Sequence, residues 1–332
     1  MKIVVFGDER RVGLQQDGRI IDINKAVGQY LADKRGVKRA IEQAAEQAPC
    51  NLAHFIEAGD VALDLTEEAA AYIKGNDDPA INYLENQVVL HAPWARRRIA
   101  CAGVNFAKHV RDGYENFVGI VKTLEEVEKG IRSKPPMGFF KVPFHVQGPD
   151  EDVVYPGRTK VFDYEVESAL IFGKRGADIK AAELPRYIWG VTMLNDWSTR
   201  EMGPEGEGPV SFNLAKNFDS CCSMGPCIVV REGLDPANID LKLTVNGETR
   251  QNFNSGEMEY SFGEYVEHLS KDFSFVPGDV LSGGTQCGTA ADSSVRKDGK
   301  LVLDNFLRVG DVVEISSPQI GTMRNRVVAK QA

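Results

Sequence analysis

The sequence predicts an α+β protein in which strands predominate, with a small N-terminal α+β domain and a larger, mostly β domain. Three observations support this fold class. Short apolar strands open the chain and dominate its later part, helix-like stretches are concentrated in its first quarter, and turn-forming pairs separate the strands. The chain has 332 residues, which is long for one core and suits two domains.

The N-terminal domain is predicted from its turns and helix starts. The opening segment, MKIVVFGDERRVGLQQDGRIIDI, predicts short strands, and its Asp17-Gly18 pair is typical of a hairpin turn. Helix-like stretches follow, among them LTEEAAAYIKGN, whose Thr–Glu start is typical of a helix N-terminus. Pro93 indicates a linker. We therefore place the boundary near residue 92, with domains at residues 1–92 and 93–332.

The second domain has a mostly β pattern. KVFDYEVESALIFGK predicts a strand, and YIWGVTMLNDWSTRE predicts a strand that continues into a turn or a helix. Asn246-Gly247 is the strongest type of hairpin signal. One helix is predicted at SFGEYVEHLSKDF, and residues 113–134 have a charged, helix-like pattern.

Composition argues against several classes of protein. The net charge is −9 and the chain has no basic block, so we do not expect a nucleic-acid partner. No apolar run approaches the length of a transmembrane helix, and the first residues do not resemble a signal peptide, so we expect no membrane partner. The six cysteines have neither zinc-site nor disulfide-framework spacing, which indicates reduced thiols and a cytoplasmic location.

Three carboxylates interrupt the apolar segment VFDYEVESALIFGK, at Asp163, Glu165 and Glu167. Alternate residues of a strand share a face, so all three should point the same way. One interpretation is a solvated face. The other is a cation site, because the apolar flanks indicate a buried strand. Like charges roughly 6.6 Å apart, at an effective dielectric near 20, would repel each other by about 2 to 3 kcal/mol without a cation.

A further acid favours the cation site. Asp196 ends the second apolar strand, and acids at strand ends commonly border a site. Two glutamates and one aspartate, with water in the remaining positions, suit Mg²⁺ or Mn²⁺ better than zinc, which prefers His and Cys. The candidate metal ligands are therefore Glu165, Glu167 and Asp196, although spacing alone leaves the solvated face open.

Six segments resemble, in the same order, motifs of the fumarylacetoacetate hydrolase superfamily and its fumarylacetoacetase C-terminal-like catalytic domain. They are GVNFAKHV, FDYEVESALIFGK, NDWSTRE, KNFDSCCSMGP, VNGE with RQ, and PGDVLSGGTQCG, over roughly residues 95–320. The resemblance implies a mixed β-roll as catalytic domain and a homodimer. It also implies a divalent metal, usually Mg²⁺, held by Glu165, Glu167 and Asp196.

The resemblance also implies roles for residues around the metal. Lys216 would contact a substrate oxygen, and the glycine-rich loop at Gly284 and Thr285 would hold a substrate carboxylate through its backbone amides. Arg200 has two interpretations. It could anchor a substrate carboxylate in a bidentate contact, or it could form a salt bridge with Asp196, four residues earlier, if those residues form a helical turn.

His109 would pair with a carboxylate and activate water, as the resemblance implies. Asp112, three residues later, is the first candidate partner and stands where many relatives have Glu. Aspartate is one methylene shorter than glutamate, so Glu115 is a second candidate. The expected catalytic residues are His109, Asp112 and Lys216. Residues 113–134 are longer than the usual family loop, which indicates an enlarged lid or interface element, or a neutral insertion.

We expect a divalent-metal-dependent hydrolase that acts on a small 2-oxo acid. It would cleave a C–C bond of an acylpyruvate-like or other 1,3-dicarbonyl acid through a metal-stabilised enolate, because His109 has a carboxylate nearby. The alternative is a lyase of the same superfamily, such as a 2-keto-3-deoxy sugar acid dehydratase or a 2-oxo acid decarboxylase or isomerase. Gly203 stands where fumarylacetoacetate-cleaving members carry glutamine, which argues against that substrate. A non-catalytic binder would not need this set of residues.

Overall fold

The structure is a computed structural model that describes residues 1–75, 78–200 and 212–331, without the Phe212 side chain. Gly203 lies outside these ranges. The N-terminal elements are β1 (Lys2–Phe6), β2 (Arg11–Gln16), β3 (Arg19–Asp22), α1 (Ile23–Arg35), α2 (Ala40–Gln47), α3 (Leu52–Tyr72), β4 (Asn82–Leu84) and β5 (Leu90–His91).

The remaining helices are α4 (Ala107–Asp112), α5 (Leu124–Arg132), α6 (Phe212–Lys216) and α7 (Phe262–Leu269), with a π-helical turn at Gly113–Val118 between α4 and α5. The remaining strands are β6 (Ile99–Gly103), β7 (Met137–Lys141), β8 (Val146–Gln147), β9 (Val153–Val154), β10 (Phe162–Asp163), β11 (Val166–Phe172), β12 (Ile188–Asp196), β13 (Ser198–Thr199), β14 (Cys222–Val229), β15 (Asp240–Val245), β16 (Glu248–Asn254), β17 (Val280–Ser282), β18 (Val295–Lys297), β19 (Lys300–Val302), β20 (Val312–Ser317) and β21 (Gly321–Val328).

Local sequence explains the N-terminal elements. Asp17 and Gly18 form the turn between β2 and β3 with positive φ at both residues, which is the geometry of the predicted hairpin turn. Asp22 then caps α1, because its side chain accepts a hydrogen bond from the Lys25 amide. Gly36 ends α1 in the left-handed conformation, which costs glycine little.

The largest sheet forms the roll and extends into the N-terminal segment. Its order is β4-β3-β2-β1-β14-β12-β11-β17-β6-β7, with β5 on β1 and β8 on β14. β7 pairs with β6, while β8, shortly after it in the chain, pairs with β14. The segment from β7 to β8 therefore connects the two ends of the run from β14 to β6 and closes a roll. The α+β, mostly β fold with a mixed β-roll is confirmed.

The sheet crosses the predicted domain boundary. β1 pairs with β14 in antiparallel fashion, with Lys2 opposite Val229 and Ile3 opposite Ile228. The N-terminal strands thus continue the main sheet instead of forming a sheet of their own. The division at residue 92 stays a prediction, and the structure adds that hydrogen-bonded strands connect its two sides.

A second sheet packs beside the roll in the order β16-β15-β20-β21-β9. Asn246 and Gly247, both with positive φ, form the predicted hairpin between β15 and β16. The helix predicted near residue 262 is present as α7, and Ser261 with Glu264 forms its capping box. Within the described residues, none of the helices combines the length and apolar character needed to cross a bilayer.

The acidic segment at 161–174 is divided into two strands, although the sequence predicts one. β10 pairs with β13, whereas β11 lies between β12 and β17 in the roll. The Asp163 carboxylate accepts hydrogen bonds from the amides of Ala290 and Ala291 at 2.7 and 3.0 Å. Asp163 therefore does not share one continuous strand face with Glu165 and Glu167, and that expectation is wrong.

Candidate active site

Three buried carboxylates meet where β11 and β12 lie side by side. Glu165 directly precedes β11, Glu167 lies within it, and Asp196 ends β12. The Asp196 amide donates to the Glu165 carbonyl at 2.9 Å, which fixes the two backbones together. Each side chain offers an oxygen, and these oxygens lie within 4.8 Å of one another. We call Glu165, Glu167 and Asp196 the carboxylate triad.

The carboxylate triad has the donor set that a hard divalent cation prefers, because all three ligand atoms are carboxylate oxygens. Within the described residues, the hydrogen-bond donors to Glu167 are the neutral Ser282 hydroxyl and the Gly284 amide, the latter at 3.1 Å. Burial, together with the Asp196 carboxylate, raises the pKa of Glu167 well above its usual range. The residues present therefore fit Mg²⁺ or Mn²⁺, whose charge would keep Glu167 ionised.

Lys216 contributes a buried ammonium group to the triad. Its Nζ donates to Glu165 Oε2 at 2.5 Å, to Asp196 Oδ2 at 2.8 Å and to Ser198 Oγ at 2.7 Å. Burial would raise the pKa of Glu165, but the cations Arg200 and Lys216 hold it well below its usual range. The structure therefore brings Lys216 to the predicted metal site, in contact with two of its ligands.

Arg200 contacts Asp163 and Glu165 instead of Asp196, which was the partner in the salt-bridge interpretation. Its Nε donates to Asp163 Oδ2 at 3.0 Å, and its terminal nitrogen Nη2 donates to Glu165. Residues 198–199 form strand β13 instead of a helical turn, so the four-residue spacing does not place Arg200 beside Asp196. The interpretation of an Arg200–Asp196 salt bridge is therefore wrong, whereas a contact with a substrate carboxylate stays a prediction.

Lys141 is a site residue that the sequence reasoning missed. It ends β7, is buried, and donates from Nζ to Asp196 Oδ1 and to the Trp197 carbonyl, the latter at 3.1 Å. Burial would lower the pKa of Lys141, but the Asp196 carboxylate raises it above its ordinary value. The available signal was a lysine in the otherwise apolar run GFFKVPF, since a buried lysine needs an acidic partner.

Burial keeps the thiols of three cysteines near Lys141 in the neutral form. Cys101, Cys221 and Cys222 are all buried, and burial raises the pKa of each thiol. All six cysteines of the chain are free in the structure.

His109 pairs with Asp292 instead of Asp112. Its Nδ1 lies 2.8 Å from Asp292 Oδ2, and its Nε2 lies 4.0 Å from Glu165 Oε1. Asp112 instead accepts a hydrogen bond from its neighbour Arg111 at 2.7 Å. The expected His109–Asp112 pair is therefore wrong, because a distant loop supplies the carboxylate. Glu115, the second candidate, is exposed.

The Asp292 carboxylate orients the half-buried imidazole toward the triad. Burial favours neutral His109, but Asp292 raises the pKa of His109 above its ordinary value. Asp292 Oδ2 also accepts hydrogen bonds from the amides of Gly288 and Thr289, at 3.1 and 3.2 Å. With Nδ1 occupied by Asp292, Nε2 is the nitrogen that faces the carboxylate triad.

The Asp163 carboxylate forms hydrogen bonds to two parts of the site. One of its oxygens binds Arg200, while the carboxylate as a whole accepts the amides of Ala290 and Ala291, in the turn that carries Asp292. The sequence identified Asp163 as an acid of the strand but gave no indication of this role.

The glycine-rich loop after β17 is fixed against the β11 segment. The Gly284 amide donates to Glu167 at 3.1 Å. Thr285 Oγ1 donates to the Val166 carbonyl at 2.9 Å and accepts from Gln251 at 2.8 Å. The structure thus places both residues next to the triad, and their expected contact with a substrate carboxylate stays a prediction.

Comparison with known proteins agrees with this geometry. The family model described as fumarylacetoacetate (FAA) hydrolase C-terminal matches residues 98–328. The mitochondrial oxaloacetate tautomerase Fahd2a of Rattus norvegicus is 30% identical over 283 residues, which cover 84% of this chain and 80% of that protein. The oxaloacetate tautomerase YisK of Bacillus subtilis is 28% identical over 316 residues, which cover 93% and 95% of the two chains.

A solved structure also matches over nearly the whole chain. The fumarylacetoacetate hydrolase EaFAH from psychrophilic Exiguobacterium antarcticum aligns with a TM-score of 0.71 at 25% identity, covering 99% of this chain and all of that one. The family match covers more than half of the sequence and includes the carboxylate triad, Lys216 and His109. This chain therefore belongs to the fumarylacetoacetate hydrolase family.

Proposed function

We propose that this protein is a divalent-metal-dependent enzyme that interconverts the keto and enol forms of a small 2-oxo acid such as oxaloacetate. The observation that carries the proposal is the position of His109, which is held by Asp292 and faces Glu165 of the carboxylate triad. Two relatives that align with this chain over most of their own length are named oxaloacetate tautomerases. Their names support this reaction.

The carboxylate triad would hold Mg²⁺ or Mn²⁺. When bound, the cation supplies Lewis-acid stabilisation of negative charge on the substrate's keto oxygen. The buried ammonium of Lys216, which contacts Glu165 and Asp196, adds a positive charge on the same side of the site. Arg200, with the loop at Gly284 and Thr285, would bind a substrate carboxylate.

Ketonisation removes the proton from the enol oxygen and adds a proton to the α-carbon, which is next to the carbonyl carbon, and enolisation is the reverse. The site therefore needs a group that can both accept and donate a proton near neutral pH. His109 meets this need, because Asp292 holds the Nδ1–H and leaves Nε2 to exchange the proton. Asp292 also raises the pKa of His109, which keeps the protonated form populated closer to neutral pH.

Cleavage of a C–C bond in an acylpyruvate-like or other 1,3-dicarbonyl acid is the second candidate. The His109–Asp292 pair favours it, because the same imidazole could remove a proton from a water molecule that attacks a distal carbonyl. The full-length match to a fumarylacetoacetate hydrolase supports it further. Dehydration or decarboxylation would use the same triad without attack by water.

A substrate panel tests these alternatives. Protein stripped with EDTA and reloaded with Mg²⁺ or Mn²⁺ is given oxaloacetate, acylpyruvates and 2-keto-3-deoxy sugar acids. Ketonisation of oxaloacetate is followed by the ultraviolet absorbance of the enol, and products are identified by mass. Metal-dependent acceleration of ketonisation above the rate with free metal supports the proposal. Cleavage of acylpyruvates without ketonisation would replace it by the hydrolase.

We further propose a homodimer and a cytoplasmic location, as expected from the resemblance and from cysteine usage. Light scattering of the purified protein tests the first, and fractionation of the source cells tests the second.

A further inference from the structure

Two lysines share one ligand of the proposed metal site. Lys141 donates to Asp196 Oδ1, and Lys216 donates to Asp196 Oδ2 at 2.8 Å. Each oxygen of this carboxylate therefore faces an ammonium group. Hydrogen bonds and charges that surround a ligand tune the affinity of the metal it binds. Lys216 also contacts Glu165 at 2.5 Å, whereas the carboxylate partner of Lys141 among the described residues is Asp196.

The position of Lys141 is fixed by the fold. Its backbone lies opposite Ile99 in the pairing of β7 with β6, and its side chain is buried. The second acceptor of its ammonium is the Trp197 carbonyl at 3.1 Å, in the residue after Asp196. To reach solvent, the Lys141 ammonium would therefore have to break two hydrogen bonds in the protein interior.

The charges of the triad and its two lysines show what Lys141 adds. With all three carboxylates ionised, the triad and the two ammonium groups sum to −1, and a bound dication changes this sum to +1. Without Lys141, the corresponding values are −2 and 0. The ammonium therefore opposes binding of the cation and, once the cation is bound, leaves the site with a positive charge that attracts an anion.

We propose that Lys141 sets the charge of the metal site, so that it lowers the affinity for the divalent cation and raises the affinity for an anionic substrate. The inference rests on the metal site of the proposed function. Lys141 is a positioning and charge-setting residue that acts through Asp196, and it does not need to touch the substrate.

Neutral substitutions test the inference by two binding measurements on EDTA-stripped protein. K141Q keeps a hydrogen-bond donor and K141M keeps the approximate volume, while both remove the charge. Calorimetric titration with Mn²⁺ should give binding about tenfold tighter or more than in the wild type. Titration of the Mn²⁺-loaded variants with oxalate, an unreactive carboxylate probe, should give binding weaker by about tenfold.

Two controls separate charge from structure. K141R keeps the charge and should restore values close to wild type for both titrations. K38M removes an exposed lysine of the N-terminal segment and should leave both titrations unchanged. Because the two affinities should move in opposite directions, general disruption of the site cannot produce the expected result.

The outcomes distinguish this inference from the proposed function. Wild-type protein that binds no Mn²⁺ would overturn the proposed metal site and the inference with it. Wild-type protein that binds Mn²⁺ while K141Q and K141M bind it more weakly, or equally, would overturn the inference alone and leave the proposed function intact. Loss of near-ultraviolet circular dichroism in both neutral variants, with K141R folded, would assign Lys141 a purely structural role and also overturn it.

Discussion

His109 Nδ1 lies 2.8 Å from Asp292 Oδ2, although 183 residues separate the two along the chain. The turn that carries Asp292 and the short helix α4 that carries His109 thus meet beside the carboxylate triad. This contact fixes which ring nitrogen faces the triad, and it makes Asp292 a participant in any proton transfer by His109.

The first prediction concerns this pair. Asp292→Asn should lower kcat by about 100-fold, because the amide no longer stabilises the imidazolium or fixes its tautomer. Since Asp292 raises the pKa of His109, the acidic limb of the pH profile of kcat/KM should move to lower pH. Asp112→Asn is the matched control, because Asp112 pairs with Arg111, and it should retain near wild-type activity. If Asp112→Asn lost most of its activity while Asp292→Asn stayed active, the assignment of Asp292 as the partner of His109 would be wrong.

The second prediction concerns metal removal. EDTA should abolish turnover, and Mg²⁺ or Mn²⁺ should restore it, because the three clustered carboxylates offer the oxygen ligands that such a cation needs as a Lewis acid. Glu165→Gln should reduce metal affinity at least about tenfold and remove turnover. Affinity is measured by calorimetry and turnover by enol absorbance. Full activity of stripped wild-type protein, with no metal detected by elemental analysis, would rule out the metal site.

The third prediction separates stability from metal binding at Glu167. Its described hydrogen-bond donors are neutral, and burial raises its pKa well above the usual range. Glu167→Gln should therefore stabilise the stripped protein at neutral pH, by about 1 to 3 kcal/mol, because folding no longer has to bury the charge of this carboxylate or force it to take up a proton. The same variant should lose most of the thermal stabilisation that Mn²⁺ gives the wild type. Melting curves with and without Mn²⁺ measure both effects, and a less stable stripped variant would contradict the first.

The proximity of the three triad carboxylates could be predicted from the sequence because local rules determine their positions. Residues two apart in a strand share a face, which places Glu165 with Glu167, and Asp196 ends the strand that pairs beside them. The hairpins at Asp17-Gly18 and Asn246-Gly247 were also predictable, since their positive φ values follow from residue type.

The remainder of the site depends on contacts between distant segments. The partner of His109 comes from a loop far along the chain, so the nearest carboxylate in sequence, Asp112, was a misleading candidate. Arg200 follows the short strand β13 instead of a helical turn. The polar segment around it is too short for its sequence to show which of the two forms. The pairing of β1 with β14 across the domain boundary likewise has no local signal.

The fourth prediction concerns Asp163, whose carboxylate binds Arg200 and the turn at Ala290 and Ala291. Asp163→Asn should lower stability by about 3 kcal/mol, because it leaves the half-buried Arg200 guanidinium without one of its carboxylate partners and removes a charged acceptor from the two amides. It should also reduce kcat/KM by about tenfold or more, since the Asp292 turn loses support. Urea unfolding and steady-state kinetics measure the two effects. Asp152→Asn, at an exposed acid, is the control and should change neither.

The fifth prediction concerns Glu151, which connects the end of β5 with the segment before β8. Its carboxylate binds His145 Nε2 at 2.7 Å and His91 Nδ1 at 3.1 Å. Burial opposes ionisation, but the hydrogen bonds from His145 and His91 lower the pKa of Glu151 from about 4.5 to about 2. A group whose pKa is lowered in the folded state stabilises the protein above its unfolded pKa, and this contribution is lost as the pH falls toward the folded value.

The stabilisation by Glu151 should therefore be fully present above about pH 4.5 and should decline between pH 4.5 and 2. Glu151→Gln should cost about 1 to 2 kcal/mol of unfolding free energy at pH 6, and the difference from wild type should shrink toward pH 2. Urea unfolding at several pH values measures it. Asp152→Asn again serves as control, because its side chain is exposed. A difference between Glu151→Gln and wild type that stays constant across this range would show that packing, not the charge of the carboxylate, is responsible.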